Sequence, residues 1–189
     1  GEVMETLAGG RAATLWDLSA VVSAPGAVSQ NMHVDATDPE LVYTTLIALQ
    51  PVLRDLGPTR FLPGSHKDPA VTAALEATQM THMDLTLLSA PGEPPPQSYV
   101  GLLDTGDVQL YDQRVLHCGG ANTRMEQKRA GGTADIPLDR FRVLFSFSFL
   151  QAGEKGSEVD EYGQRSILPL YRDRIQLDLF RRAHRNQDR

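Results

Sequence analysis

The clearest period in the chain runs from Phe141 to Leu150. Phe141, Val143, Phe145, Phe147 and Phe149 fall on one face; Arg142, Leu144, Ser146 and Ser148 fall on the other. A period of two predicts a β-strand. Leu41 to Leu49, apolar except for Tyr43 and two Thr, reads as a strand buried on both faces. Ala12 to Val22, rich in β-forming residues around Trp16, predicts another strand, ended by a turn at Pro25-Gly26. Gly57 to His66 reads as turn, short strand, turn. Val108 to Tyr111 alternates behind the turn Thr105-Gly106-Asp107, and Val115 to His117 predicts a short strand after it.

Helical periods are few. Residues 1–10 read as a helix end closed by Gly9-Gly10. Pro69 to Met80 is Ala-rich and opens on a Pro suited to a first helical position. Ser166 to Arg185 predicts a basic amphipathic helix whose outer face is solvated and whose inner face covers a sheet. Pro91 to Pro96 predicts a loop, and the polar stretch 123–139, with Gly131-Gly132, a long exposed one. Many short strands broken by Gly and Pro turns, with few helices, argue for a β-sandwich or jelly roll.

Composition narrows the function classes. A length of 189 residues suits one domain with a sizeable core. A formal charge of −6 and a pI near 5.3 leave no basic footprint for nucleic acid. No run of 18 apolar residues is present, so no membrane span is expected. The single Cys118 excludes an internal disulfide framework. With no signal-peptide pattern either, a reducing intracellular setting, the cytoplasm, is expected.

The candidate chemistry centres on His33-Val34-Asp35. A His and an Asp one residue apart at a strand end can grip one metal ion together. With 5 His and 15 Asp in 189 residues, chance alone yields about 0.4 such pairs. The chain has two, the other being His82-Met83-Asp84. His33 follows an extended run and precedes a second apolar run. His82 follows a helical pattern and precedes the Pro-rich loop, which predicts a surface His. The third ligand must come from far along the chain, and His117, in the run from Gly106 to Asn122, is the candidate. Two imidazoles and one carboxylate on one face of an octahedron is the pattern of non-heme Fe(II) oxygenases, with three positions open for a cosubstrate and O₂.

Four stretches together resemble the phytanoyl-CoA dioxygenase family of Fe(II)/2-oxoglutarate oxygenases. They are Pro25 to Asp35, Gly57 to His66, Gly106 to Asn122, and Arg142 opening the Phe-rich strand. The turn Pro63-Gly64-Ser65-His66 and the run His117-Cys118-Gly119-Gly120-Ala121-Asn122 are the most specific parts. The resemblance implies a mainly β fold: a double-stranded β-helix, or cupin-like jelly roll, with a few flanking helices. One oxygenase domain is expected over residues 1–189, with its β core at about 12–150 and a helical segment at about 160–189. It implies His33, Asp35 and His117 as Fe(II) ligands. It implies Arg142 as the partner of the distal carboxylate of 2-oxoglutarate, with Thr59 and Gln30 contacting the same cosubstrate. His66 then has a structural role. The implied reaction uses O₂, oxidises a C–H bond of a small molecule, and releases succinate and CO₂. Related halogenases carry a small residue where this chain has Asp35, which points to hydroxylation, desaturation or ring chemistry instead.

The chain departs from the family pattern twice. The gap of 25 residues from His117 to Arg142 exceeds the usual spacing. Arg140 is therefore a rival that the strand period places on the same face; Arg142 is preferred because it abuts the apolar run. The family also carries more helical sequence before its first strand, so the chain is expected to lack part of an N-terminal helical region. Arg124, Lys128 and Arg129 read as members of a solvated loop rather than as an anion site. The alternative reading is a jelly-roll metal protein without oxygenase activity, either a cupin-like isomerase or a non-catalytic binding domain.

Overall fold

The computed structural model describes residues 2–35, 42–78, 82–84, 88, 96–124, 137–153 and 175–177. A short helix α1 (Glu2–Leu7) leads into β1 (Thr14–Ser23). Then come β2 (Met32–His33), β3 (Val42–Ala48) and β4 (Thr59–Phe61). Helix α2 (Pro69–Thr78) separates these from β5 (His82–Met83), β6 (Tyr99–Val100), β7 (Val108–Asp112), β8 (His117–Gly119) and β9 (Arg142–Leu150). Two antiparallel sheets result, with strand orders β1-β9-β3-β7 and β5-β2-β8-β4-β6. This is the jelly-roll arrangement expected from the sequence. Among the described residues no helix is long and apolar enough to cross a membrane.

The two faces of β9 explain how the cavity is built. Its apolar face carries Phe149, which is buried with Met4 of α1, Ala8 just after it, Leu15, and Leu177. Its other face, Arg142, Leu144, Ser146 and Ser148, lines a cavity of about 300 Å³ shared with residues of the second sheet. Polar residues thus point inward here because that interior holds space rather than packed side chains. The second sheet has its own apolar cover: Met32, Val34, Leu116 and Cys118 bury against Leu62 and Val71 of α2. A third cluster, Leu46, Ala48, Val52 and Leu144, adjoins the cavity.

Several expected boundaries shift. The strand expected at 115–117 begins at His117, because Val115 closes a turn onto Asp112. His82 lies on a strand: β5 pairs with β2, and His82 is the Cα partner of His33. Arg140 does not share the period of β9, since it ends a 3₁₀ turn (Leu138–Arg140) before the strand starts. Of the C-terminal segment expected to be helical, 175–177 are described. Gln176 makes an antiparallel bridge with Thr14, so the chain is extended there, and helical backbone is present at Leu177. The expected loops at 91–96 and 123–139 lie largely outside the described residues.

Candidate metal and cosubstrate site

Strand pairing brings the first three candidates together. His33 is the direct Cα partner of His117 across β2 and β8. Asp35 follows β2, and its N–H donates to the Gln113 carbonyl at 2.9 Å, which fixes its backbone. Ligand atoms of His33, Asp35 and His117 all lie within 4.8 Å of one another. The His33 Nε2 lies 3.6 Å from Asp35 Oδ1, and the His117 Nε2 lies 3.4 Å from Asp35 Oδ2. The imidazole centroids are 4.4 Å apart.

The tautomers follow from the other ring nitrogens. His33 Nδ1 is 2.9 Å from the Asn31 carbonyl, and His117 Nδ1 is 2.9 Å from the Val115 carbonyl. A carbonyl only accepts, so both Nδ1 atoms carry hydrogen and both neutral rings present an Nε2 lone pair. Two lone pairs and a carboxylate then converge on one point. Such a cluster needs a cation or a shared proton, and imidazoles oriented through Nδ1–H in this way match the usual arrangement of metal-binding His. The donor set therefore fits a divalent metal with mixed N and O ligands.

Electrostatics agree. Burial alone would raise the pKa of Asp35. The hydrogen bond and charge of His117, the charge of His33, and the Tyr111 hydroxyl outweigh it and hold the carboxyl below its ordinary value. Burial alone would depress His117, but the hydrogen bond and charge of Asp35, with the Val115 carbonyl, raise it.

Arg142 sits on the same cavity, and its surroundings suit an anion. It is 5% exposed, yet no carboxylate pairs with it among the described residues. Its Nη1 donates to the Gly57 carbonyl, and its Nε is buried with no hydrogen-bond partner. Burial depresses its pKa, partly countered by Cys118. A buried charge of this kind calls for a counter-charge.

Glycine makes room for it. A Cβ at Gly119 would lie 2.8 Å from Gln30 Oε1 and 3.1 Å from Arg142 Nη2. Gln30 grips that strand twice: its Oε1 accepts from Gly119 N–H at 2.7 Å, and its N–H donates to the Gly119 carbonyl at 2.9 Å. Thr59, buried and opposite Gly119 in the β4–β8 pair, lines the cavity beside them.

Ser65 and Asn122, from the two most specific motifs, brace the site from behind. Ser65 Oγ accepts from the buried Leu116 N–H at 2.8 Å, one residue before His117. His66 carries a buried Nδ1 away from the cavity lining. Asn122, 1% exposed, donates from its amide to the carbonyls of Ser23 and Arg140. Arg124 is not an anion site: its Nε pairs with Asp55 Oδ2 at 2.9 Å.

Sequence reasoning missed Tyr111. Its hydroxyl lies 3.1 Å from Asp35 Oδ2 and 3.4 Å from His117 Nε2. It also missed Trp16 and Asp17, which line the cavity from β1. A bulge between Leu15 and Asp17 re-aims the strand there. The bulge leaves no mark in the hydrophobic pattern.

Comparison with known proteins places these residues in context. The family model described as phytanoyl-CoA dioxygenase (PhyH) matches residues 3–130. Dioxygenase trt7 of Aspergillus terreus (strain NIH 2624 / FGSC A1156) is 27% identical over 124 residues, 60% of this chain and 37% of its own length. The multifunctional dioxygenase ausE of Penicillium brasilianum is 26% identical over 151 residues, 74% of this chain and 46% of its own length. The chain thus spans less than half the length of either relative. The crystal structure of the epimerase SnoN, in complex with Fe3+, alpha ketoglutarate and nogalamycin RO, matches with a TM-score of 0.58 and 21% identity. The match covers 88% of this chain and 66% of that one, and shows a shared fold.

Proposed function

Because the chain belongs to the phytanoyl-CoA dioxygenase family, we propose that it is an Fe(II)- and 2-oxoglutarate-dependent oxygenase acting on a small molecule. His33, Asp35 and His117 are the metal ligands in this reading. Arg142 holds the distal carboxylate of 2-oxoglutarate, with Thr59 and Gln30 beside it. The chemistry a bound iron supplies is O₂ reduction coupled to decarboxylation of 2-oxoglutarate, giving succinate and CO₂ while a substrate C–H bond is oxidised.

The observation that carries the reading is the pairing of two unmet demands in one cavity. One end has three converging electron-pair donors; the other has a buried guanidinium without a carboxylate. A dianion that chelates a metal at one end and carries a carboxylate at the other satisfies both. A planar fork suits that carboxylate better than a point charge does. The buried Arg142 also speaks against a cupin-like isomerase or a binding domain, neither of which needs it. The remaining wall, with Trp16, Asp17, Ser19 and Val21, is left for substrate. Asp35 fills the position that a halide would need, which favours hydroxylation or a related oxidation over halogenation.

The test is succinate release. Purified protein with Fe(II), 2-oxoglutarate and O₂ is expected to release succinate slowly alone and faster with a cognate small molecule. His117→Ala should abolish release in a folded protein. Equal release by that variant would contradict the ligand assignment.

A further inference from the structure

We propose that Tyr111 is a positioning residue for the metal. Its hydroxyl engages one oxygen of Asp35 and leaves the other for the ion. The proposal rests on the reading of His33, Asp35 and His117 as metal ligands.

The polar contacts around Tyr111 can be traced atom by atom. Gln113 Nε2 donates to Thr44 Oγ1 at 2.8 Å and lies 3.3 Å from Ser148 Oγ. An amide N–H only donates, so Thr44 Oγ1 is an acceptor there. Thr44 and Ser148 hydroxyls are 2.9 Å apart, and Ser148 can donate to Thr44. Thr44 neighbours Tyr111 across the β3–β7 pair. Tyr111 donates to Asp35 Oδ2 at 3.1 Å. Gln113, Thr44 and Ser148 thus form one hydrogen-bonded cluster beside it. Thr44, Gln113 and Ser148 are all buried.

The fold holds Tyr111 in place. Thr44 and Tyr111 are direct Cα partners in the β3–β7 pair. The Tyr111 ring is packed with Phe61 and His117, at centroid distances of 5.1 and 4.7 Å. Gln113 ties this cluster to the ligand: its carbonyl accepts from the Asp35 N–H, while its amide donates to Thr44.

The consequence concerns coordination. A free carboxylate can bind a cation through one oxygen or through both. Binding through both would take a position that the cosubstrate or O₂ needs. A phenol donor on Oδ2 makes that oxygen a poorer ligand and orients Oδ1. Groups that hydrogen-bond to metal ligands typically affect metal affinity about 10- to 100-fold.

Tyr111→Phe keeps the ring and removes only the hydroxyl. The probe is Co(II) alone, titrated anaerobically into metal-free protein. We expect Kd for Co(II) to rise about 10- to 100-fold, and the visible Co(II) spectrum to change in band position and intensity. The melting temperature of metal-free protein should move little, which separates positioning from a structural role. Tyr111→Leu also removes the hydroxyl and should shift both Co(II) readouts in the same direction. It serves equally if Tyr111→Phe fails to fold. Co(II) affinity and spectrum unchanged in the folded variants, with normal binding by wild type, overturn the role of Tyr111 alone. A wild-type protein that takes up no Co(II) overturns the metal reading and this proposal with it.

Discussion

Arg142→Ala separates binding from stability. In the protein as it stands, the guanidinium is 5% exposed, donates to the Gly57 carbonyl, and has a buried Nε without a partner. Its desolvation is therefore incompletely compensated until an anion arrives. In the proposed reading, removing it deletes the main partner of the cosubstrate carboxylate. Truncating one member of a buried, hydrogen-bonded charge pair costs about 2–5 kcal/mol. Since 1.4 kcal/mol is tenfold, the KM for 2-oxoglutarate should rise by roughly 30- to 5000-fold. Arg142→Lys keeps the charge but loses the fork, and should fall between. The stability of the ligand-free protein should change far less, because the variant also relieves an unpaired buried charge. Metal affinity should be unaffected. Arg140→Ala should raise KM little, because Arg140 precedes β9 in a 3₁₀ turn. The assay is succinate release against 2-oxoglutarate concentration, with Co(II) titration and thermal melts as controls. A KM within threefold of wild type for Arg142→Ala, or a large rise confined to Arg140→Ala, would refute the reasoning.

Three further outcomes follow from the scaffold and the charges. Ser65→Ala strands the buried Leu116 N–H and should cost about 1–3 kcal/mol, read as a fall in melting temperature of the metal-free protein. Gly57→Ala should prevent normal folding: φ is +70° there and a Cβ would lie 2.2 Å from the Gly120 carbonyl oxygen, so soluble yield and near-UV dichroism should collapse. The third outcome is a pH dependence. His117 is raised above its ordinary value of 6.5 by Asp35, and Asp35 is lowered below 3.8, so the metal-free pair shares a proton between those limits. The His117 contribution to stability is fully present below pH 6.5 and is lost as pH rises through the raised His117 pKa. That of Asp35 is present above pH 3.8 and is lost as pH falls through its lowered value. A metal must displace the His117 proton, so metal-loaded protein should gain stability over the range where metal-free protein loses it. Parallel melts with and without Co(II) across pH 5–8.5 check this; identical trends would contradict it.

What could be read from the sequence was whatever the chain writes locally. His33 and Asp35 are two residues apart, and His117 is framed by Gly106-Asp107 upstream and Gly119-Gly120 downstream, so pattern alone gathers them. Arg142 was reached through the family resemblance, because it opens the strand that the uninterrupted Phe alternation marks. Its separation from Arg140 was not, because a 3₁₀ turn breaks the period and the hydrophobic pattern carries no trace of that turn. The contact of Tyr111 with Asp35 was invisible for a different reason. It depends on the β3–β7 register, which joins residues 67 apart and is set by the whole sheet. The placing of His82 beside His33 is likewise a matter of strand pairing across α2, with no local signature. Gly57 and Gly119 were readable as motif members. Only the structure shows that one passes under a carbonyl and the other leaves space for a guanidinium.

The most direct test of the central claim is an anaerobic optical titration. Metal-free protein receives Fe(II) and then 2-oxoglutarate. Chelation of the cosubstrate by iron held on His33, Asp35 and His117 should produce a weak visible charge-transfer band that saturates at one equivalent of each. The band should be absent with Fe(II) alone and absent in His117→Ala. No band in wild-type protein that binds Fe(II), or an unchanged band in His117→Ala, would contradict the account.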